Sequence, residues 1–181
     1  MNGITRRTGM GIFGGNSKQE PMHYGEVFGV WVYLATTKAL LAGYQTALNH
    51  AGDTDLKDFL EDLMQTMKKE IDQLEDLLKI NGVGLPPSPP DRPLADLSSI
   101  PVGARLNDSE IALGIARDVA GGLLTCSQVM SQSLREDIGL MFAEFHFTKA
   151  HSGFRLQRIL KEKGWLIAPP LHAQAPELAH V

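Results

Sequence analysis

An all-α fold is what this sequence of 181 residues predicts: a four-helix bundle made of two antiparallel helical hairpins joined by a long Pro-rich crossover. Three observations carry the prediction. Apolar residues recur at three- and four-residue spacing through four long stretches, the period of a helix with one buried face. The end of the second stretch, Leu77-Leu78-Lys79-Ile80-Asn81-Gly82-Val83-Gly84-Leu85-Pro86-Pro87, returns at the end of the fourth as Ile159-Leu160-Lys161-Glu162-Lys163-Gly164-Trp165-Leu166-Ile167-Ala168-Pro169-Pro170. Each copy is a stop. A glycine past the last periodic residue takes the left-handed conformation that caps a helix, the next apolar residue folds back, and proline blocks continuation. Between the halves lies a stretch rich in proline and without helical period.

The elements follow in order. Residues 1–19 have the glycine and polar content of a flexible arm. The first helix, about 21–51, is expected to open at Pro21 and carries Val27, Trp31, Leu34, Leu41, Tyr44 and Leu48. Gly52 ends it, and Asp53 or Thr54 caps the second helix, about 54–81. Its Leu56, Phe59, Leu60, Leu63, Met67, Ile71, Leu74 and Leu78 make one apolar stripe opposite charged residues. So short a connection sets these two helices antiparallel. The crossover, 82–107, is long enough in extended form to run the length of the second helix. Asn107 with Glu110 reads as a capping box for a third helix, about 108–132, through Ile111, Leu113, Ile115, Val119, Leu123, Leu124, Val129 and Met130. Ser133 with Glu136 reads as a second box opening a fourth helix, about 134–163, through Ile138, Met141, Phe142, Phe145, Phe154, Leu156 and Leu160. Residues 20–172 thus form the bundle and 173–181 a tail.

Composition narrows the function. A length of 181 residues suits one well-cored domain. A net charge of -4 argues against a nucleic-acid partner, since coating phosphates takes a basic surface; Lys68-Lys69 and Arg155 with Arg158 are local clusters. Cys126 is the only cysteine, so no intrachain disulfide forms, and nothing beside it lowers its pKa. It reads as a small apolar core residue. The glycine-rich run from Gly9 to Asn16 is too short for a signal-peptide core, so no export is expected. The apolar stretch Val27 to Leu48 is broken by Lys38 and Gln45, which favours a core helix over a membrane span.

Two hairpins with a full-length crossover is the connectivity of a ferritin-like bundle. Specific strings sharpen this: Gly84-Leu85-Pro86-Pro87-Ser88-Pro89-Pro90-Asp91-Arg92-Pro93, the run from Cys126 to Ile138, and the run from Lys161 to His172. Over about Tyr24 to His172 they make the chain resemble an uncharacterised ferritin-like family of endospore-forming bacteria. Its members are labelled spore coat proteins and are distantly similar to coat protein F. The resemblance implies a fold and a sporulation setting; it carries no catalytic residues.

Ferritin-like di-iron centres take a Glu from each of two helices and a Glu-x-x-His from each of the other two. No Glu-x-x-His occurs here: Glu70 is followed at that spacing by Gln73, and Glu144 by Phe147. Counting levels from the hairpin turns puts Lys38, Met64 or Gln65, Gly121-Gly122 and His146 in the middle layer. Glu144 and Asp118 lie within a turn of it, and Glu26 lies near the bundle end opposite Glu75 or Asp76. Lys38 is expected to be buried and paired with Glu144 or Asp118, because an unpaired buried charge is too costly. His23 with Glu26 is spaced as a surface metal pair or a solvated face, while His172 and His180 sit in the tail. Mid-helix Gly121-Gly122 allows either close approach of a neighbour or a pocket facing Tyr33 or Tyr44.

The expectation is a non-catalytic structural or interaction protein, not an enzyme, with no cofactor, no metal site and no membrane. Apolar residues beyond one core stripe (Phe28, Trp31, Tyr33; Leu140, Phe145, Phe147) suggest a homodimer, with other coat proteins as further partners. The alternative is an atypical metal-binding protein, an oxidase or iron handler, using His146 and Glu144 with Glu26 or Glu70. A third is a small-molecule binder at Gly121-Gly122.

Overall fold

A computed structural model describes residues 20–170 and 172 of the chain. Its helices are α1 (Tyr24–His50), α2 (Thr54–Ile80), α3 (Asp108–Gln132) and α4 (Glu136–Glu162), with no strand among the described residues. The expected arm at 1–19, the tail at 173–181 and His180 lie outside the described residues. α1 packs on α2 and α3 on α4 as antiparallel hairpins, and the hairpins close the bundle through α1 on α3 and α2 on α4.

Both repeated stops form as anticipated. Gly82 and Gly164 each take φ 71°. In the first, the Gly82 amide donates to the Lys79 carbonyl and the Val83 amide to Leu78; in the second, Gly164 donates to Lys161 and Trp165 to Leu160. These paired bonds satisfy the last carbonyls of each helix. Val83 then packs on one apolar cluster and Trp165 on the other.

Helix starts divide into local and long-range cases. Asp53 caps α2 by accepting from the Leu56 amide, and Asn107 with Glu110 forms the expected capping box on α3. α1 starts later than Pro21. Its cap is His23, whose Nδ1 accepts from the Gly25 amide while Glu26 accepts from the His23 amide, a capping box built with an imidazole. With Nδ1 accepting, the proton sits on Nε2, which donates to the Gln132 carbonyl at 3.2 Å. The expected box at Ser133 and Glu136 does not form. Ser133 ends α3, its hydroxyl donating to the Val129 carbonyl at 2.8 Å, and α4 begins after Arg135 with no side-chain cap.

The crossover lies along α1. Trp31 Nε1 donates to the Gly84 carbonyl, Lys38 Nζ to Pro86, and Asn49 Nδ2 to Pro93; Gln45 both donates to Asp91 and accepts from the Arg92 amide. Trp31, Lys38 and Gln45 are seven residues apart, so they share one stripe. Two single 3-10 turns, Leu97–Ser99 and Val102–Ala104, finish the strap before α3. α1 is the one described helix long and apolar enough to cross a membrane by composition, yet its Val30, Tyr33, Leu34 and Tyr44 are buried in this bundle.

Candidate functional site

The interior has two apolar clusters. One gathers Leu56, Phe59, Leu60, Ile111, Ile115 and Leu156 near the α1–α2 turn; the other gathers Leu34, Leu74, Leu78, Ile138 and Phe142 at the opposite end. Between Met67 and Leu74 on α2, and between Phe145 and Leu156 on α4, that apolar sequence is interrupted by Glu70 and Lys149. There a polar layer takes one residue from each helix. Lys149 Nζ donates to both Glu70 oxygens at 2.9 and 2.8 Å, Tyr33 OH donates to Glu70 Oε2 at 3.1 Å, and Cys126 Sγ lies 3.5 Å from the Tyr33 oxygen, donating to it. The Lys149 ammonium also stands 5.4 Å from the Tyr33 ring centre. Burial, with Glu70 second, pushes the Tyr33 phenol far up, and burial likewise raises the Cys126 thiol. Both stay protonated and serve as donors. The layer is a buried lysine–glutamate ion pair whose carboxylate also accepts from a phenol.

The sequence-derived metal candidates do not come together. Glu70 is held by Lys149 and Tyr33. Glu26, 2% exposed, lies at the bundle end, where Oε1 accepts from the Leu134 and Arg135 amides, both at 2.8 Å. It therefore clamps the α3–α4 turn, while Glu75 is paired with Lys38 and Lys79. Glu144 is exposed and His146 half-buried. No three His, Cys, Asp or Glu side chains converge among the described residues.

Lys38 is buried as expected, but its partners are Glu75 Oε1 at 2.8 Å and the Pro86 carbonyl at 3.1 Å, not Glu144 or Asp118. Its stripe faces the strap rather than the centre. Hydrogen bonds from Lys38, then from Lys79, hold the Glu75 carboxyl below its usual range. Asp118 instead accepts from Tyr44 OH at 3.3 Å and from Arg117 at 3.4 Å.

Two polar anchors escaped the sequence reading. Arg135 is buried, bonding Asp137, Asn81 Oδ1 and the Glu20 carbonyl. Asp108 is the other: its two oxygens accept from the Gly52 amide at 2.7 Å and the Asp53 amide at 3.1 Å. Glu26 and Asp108 do the same thing at opposite ends. In each hairpin, a carboxylate in the first turn of the leading helix clamps the turn of the other hairpin.

Beside the polar layer, between α1 and α3, opens a cavity of about 430 Å³. Tyr33, Tyr44, Leu63, Met67, Gly121, Gly122 and Lys149 are among its walls. Both glycines of the mid-helix pair line this cavity, and one of them is also closely approached by a neighbour. A Cβ on Gly122 would meet Lys149 Cδ at 3.0 Å and Cε at 3.1 Å, so its absence lets the lysine stem cross α3; a Cβ on Gly121 would meet nothing within 4 Å.

The surface is unevenly apolar. Trp31 is covered by the strap, and Tyr33 and Phe145 are core residues, so three of the six side chains expected as an extra apolar face are committed internally. Phe28, Leu140 and Phe147 are exposed, as is Phe154.

Comparison with known proteins agrees with this architecture. Uncharacterized protein YvdQ of Bacillus subtilis is 52% identical over 165 residues, which is 91% of this chain and 97% of YvdQ. A crystal structure from Bacillus halodurans described as "a putative spore coat protein" matches at 55% identity with a TM-score of 0.86, covering 88% of this chain and all of that one. A conserved hypothetical protein of Mycobacterium tuberculosis shares the fold alone, at 16% identity and a TM-score of 0.62 over 75% of this chain and 97% of its own. The family model described as protein of unknown function DUF3231 matches residues 10–178, and the chain belongs to that family.

Proposed function

We propose that this protein is a non-catalytic structural component associated with the spore coat, and that it acts as a homodimer joined along the outer face of α4. The observation that carries the reading is the stripe Leu140, Phe147 and Phe154, spaced seven residues apart and exposed by 63%, 75% and 66%. Ala143 and Ala150 sit between them in the sequence, so large and small residues alternate at the three- and four-residue spacing of a helix-pairing seam. The order is the same from either end about Phe147. A second copy lying antiparallel can therefore set each phenylalanine near an alanine of the first.

Charge supports the same arrangement. Along the neighbouring stripe, Glu144 precedes His151 and Arg158, and the helix opens at Glu136. Antiparallel pairing brings Glu144 of one copy toward His151 of the other, and Glu136 toward Arg158. At about 150–250 Å² per buried aromatic side chain, the four phenylalanines of such a pair would remove on the order of 400–700 Å² of their present exposure. With the leucines and flanking residues this approaches the roughly 1,000 Å² expected of a specific interface. The coat association draws on the spore-coat description of the Bacillus halodurans relative. The non-catalytic part draws on the carboxylates, since Glu26 and Glu70 are already bonded to backbone amides and to Lys149.

Light scattering at micromolar concentration tests the pairing: the wild type should have twice the chain mass and Phe147→Glu the mass of one chain. A monomeric wild type overturns it. Probing fractionated spores should find the protein in the coat fraction. Stoichiometric iron or manganese in protein purified without chelators would overturn the non-catalytic reading.

A further inference from the structure

We infer that the cavity between α1 and α3 is a binding site for a small hydrophobic amine: a one- or two-ring body among the apolar walls and an ammonium directed to Asp118. This goes beyond the pairing of copies along α4 and does not depend on it, since the cavity is lined mainly by α1 and α3.

The volume, about 430 Å³, lies at the small end of the range that holds organic ligands. Val32, Leu40, Leu63, Met67 and Val119 provide an apolar lining, and the two tyrosines add ring surface. The polar groups around them have mostly spent their bonding capacity. Thr37 and Thr125 donate their hydroxyl protons to carbonyls of their own helices, Tyr33 is engaged with Glu70 and Cys126, and two of the three Lys149 ammonium protons go to Glu70. A ligand therefore finds few groups to bond along most of the wall.

Asp118 is the exception. A carboxylate offers about four acceptor positions. Here two are used, both at long distances, 3.3 Å from Tyr44 and 3.4 Å from an Arg117 whose side chain is 83% exposed. The open capacity of the site is thus an acceptor with negative charge, which selects a cationic donor. Two cations also line the cavity: Lys149 is neutralised by Glu70, and Arg117 extends into solvent with its side chain 83% exposed, so both oppose that selection only weakly.

Gly121 lies on the α3 wall of this cavity, and a Cβ there, as at Gly43, Gly114 and Gly139, would meet nothing within 4 Å. Gly122 is required by the Lys149 stem, but no neighbour requires Gly121. A mid-helix glycine costs about 1 kcal/mol relative to alanine. What its missing side chain preserves is free space on the α3 wall of the cavity.

Titration calorimetry with tryptamine and with indole-3-propionate, which share a ring and differ in the sign of the charged end, tests the assignment on the full-length protein. Tryptamine should bind saturably, one per chain, and at least tenfold tighter than the acid. Asp118→Asn should bring the two affinities within about threefold of each other. Gly121→Leu and Thr36→Trp, placed on facing walls at exposed positions, should each abolish tryptamine binding while keeping the wild-type helical circular dichroism. Equal affinity for both compounds in the wild type, no saturable binding of tryptamine, or unchanged binding in both folded blocking variants would overturn the proposal.

Discussion

Replacing Lys149 by methionine removes a charge from the polar layer while keeping most of the aliphatic stem that crosses Gly122. Glu70 then remains in a site 3% exposed, with Tyr33 OH as its only side-chain donor. Removing one partner of a buried pair costs about 3–5 kcal/mol, and the surviving charged hydrogen bond places this case near the lower figure. For a domain of this size about 3 kcal/mol lowers Tm by roughly 6–12 °C. A second change, Glu70→Leu on that background, removes the orphaned charge but leaves the Tyr33 hydroxyl with only a thiol beside it, a residual cost of about 1–3 kcal/mol. Adding Tyr33→Phe removes that donor too, and the triple variant should return to within about 1 kcal/mol of wild type. Thermal and urea unfolding of the four proteins read the series. If Lys149→Met costs under 1 kcal/mol, or if the triple variant is no more stable than the single, the layer is not a coupled unit and the reasoning fails.

Glu26→Ala strands two turn amides and should cost about 2–4 kcal/mol in urea unfolding, while Glu26→Gln, which keeps an acceptor, should lose less than half of that. Acid should destabilise the protein in a defined window. Lys163 holds Asp53, and Arg135 holds Asp137, below the usual carboxylate range, as Lys38 does Glu75. A depressed folded-state pKa contributes stability above the unfolded value of about 4 and loses it as pH falls through the folded value, so Tm should hold from pH 7 to about 5 and drop below about pH 4. Asp137→Asn should flatten that drop. Cys126 is fully buried with its pKa raised, so an aromatic disulfide reagent should react only at the rate of unfolding; rapid reaction of the native protein would show that α3 opens locally.

The features legible in the sequence are those that close within a few residues. Gly82 and Gly164 satisfy carbonyls three positions back, Val83 and Trp165 satisfy carbonyls five positions back, and Asn107 with Glu110 bonds across one turn. Ser133 was misread because two groups compete for the same atoms: its hydroxyl goes to the Val129 carbonyl, and the amides it would have capped beside are taken by Glu26, 108 residues earlier. α1 starts later than Pro21 suggests because its cap is an imidazole, an unusual one at a helix start. Counting levels located Lys38 at mid-bundle but carried no information on which way around the helix it points. The polar Trp31, Lys38 and Gln45 spacing was the signal that α1 faces the strap, and it is visible in the sequence once the strap is given a neighbour. Lys149 fits the same pattern, since nothing local marks it as the partner of Glu70. The Gly121-Gly122 pair was legible as an anomaly, and only the path of the Lys149 stem separates its two glycines.

The Glu26 and Asp108 clamps have a consequence for how the halves recognise each other. Neither hairpin can complete its own bend: the amides at Gly52 and Asp53 wait for α3, and those at Leu134 and Arg135 wait for α1. Each half is the other's missing part. A chain cut within the strap, for example between Ser88 and Pro89, would leave two fragments that carry matching ends and reassociate on mixing, whereas fragments bearing Glu26→Ala and Asp108→Ala would lose the means to tell their proper mate from any other apolar hairpin.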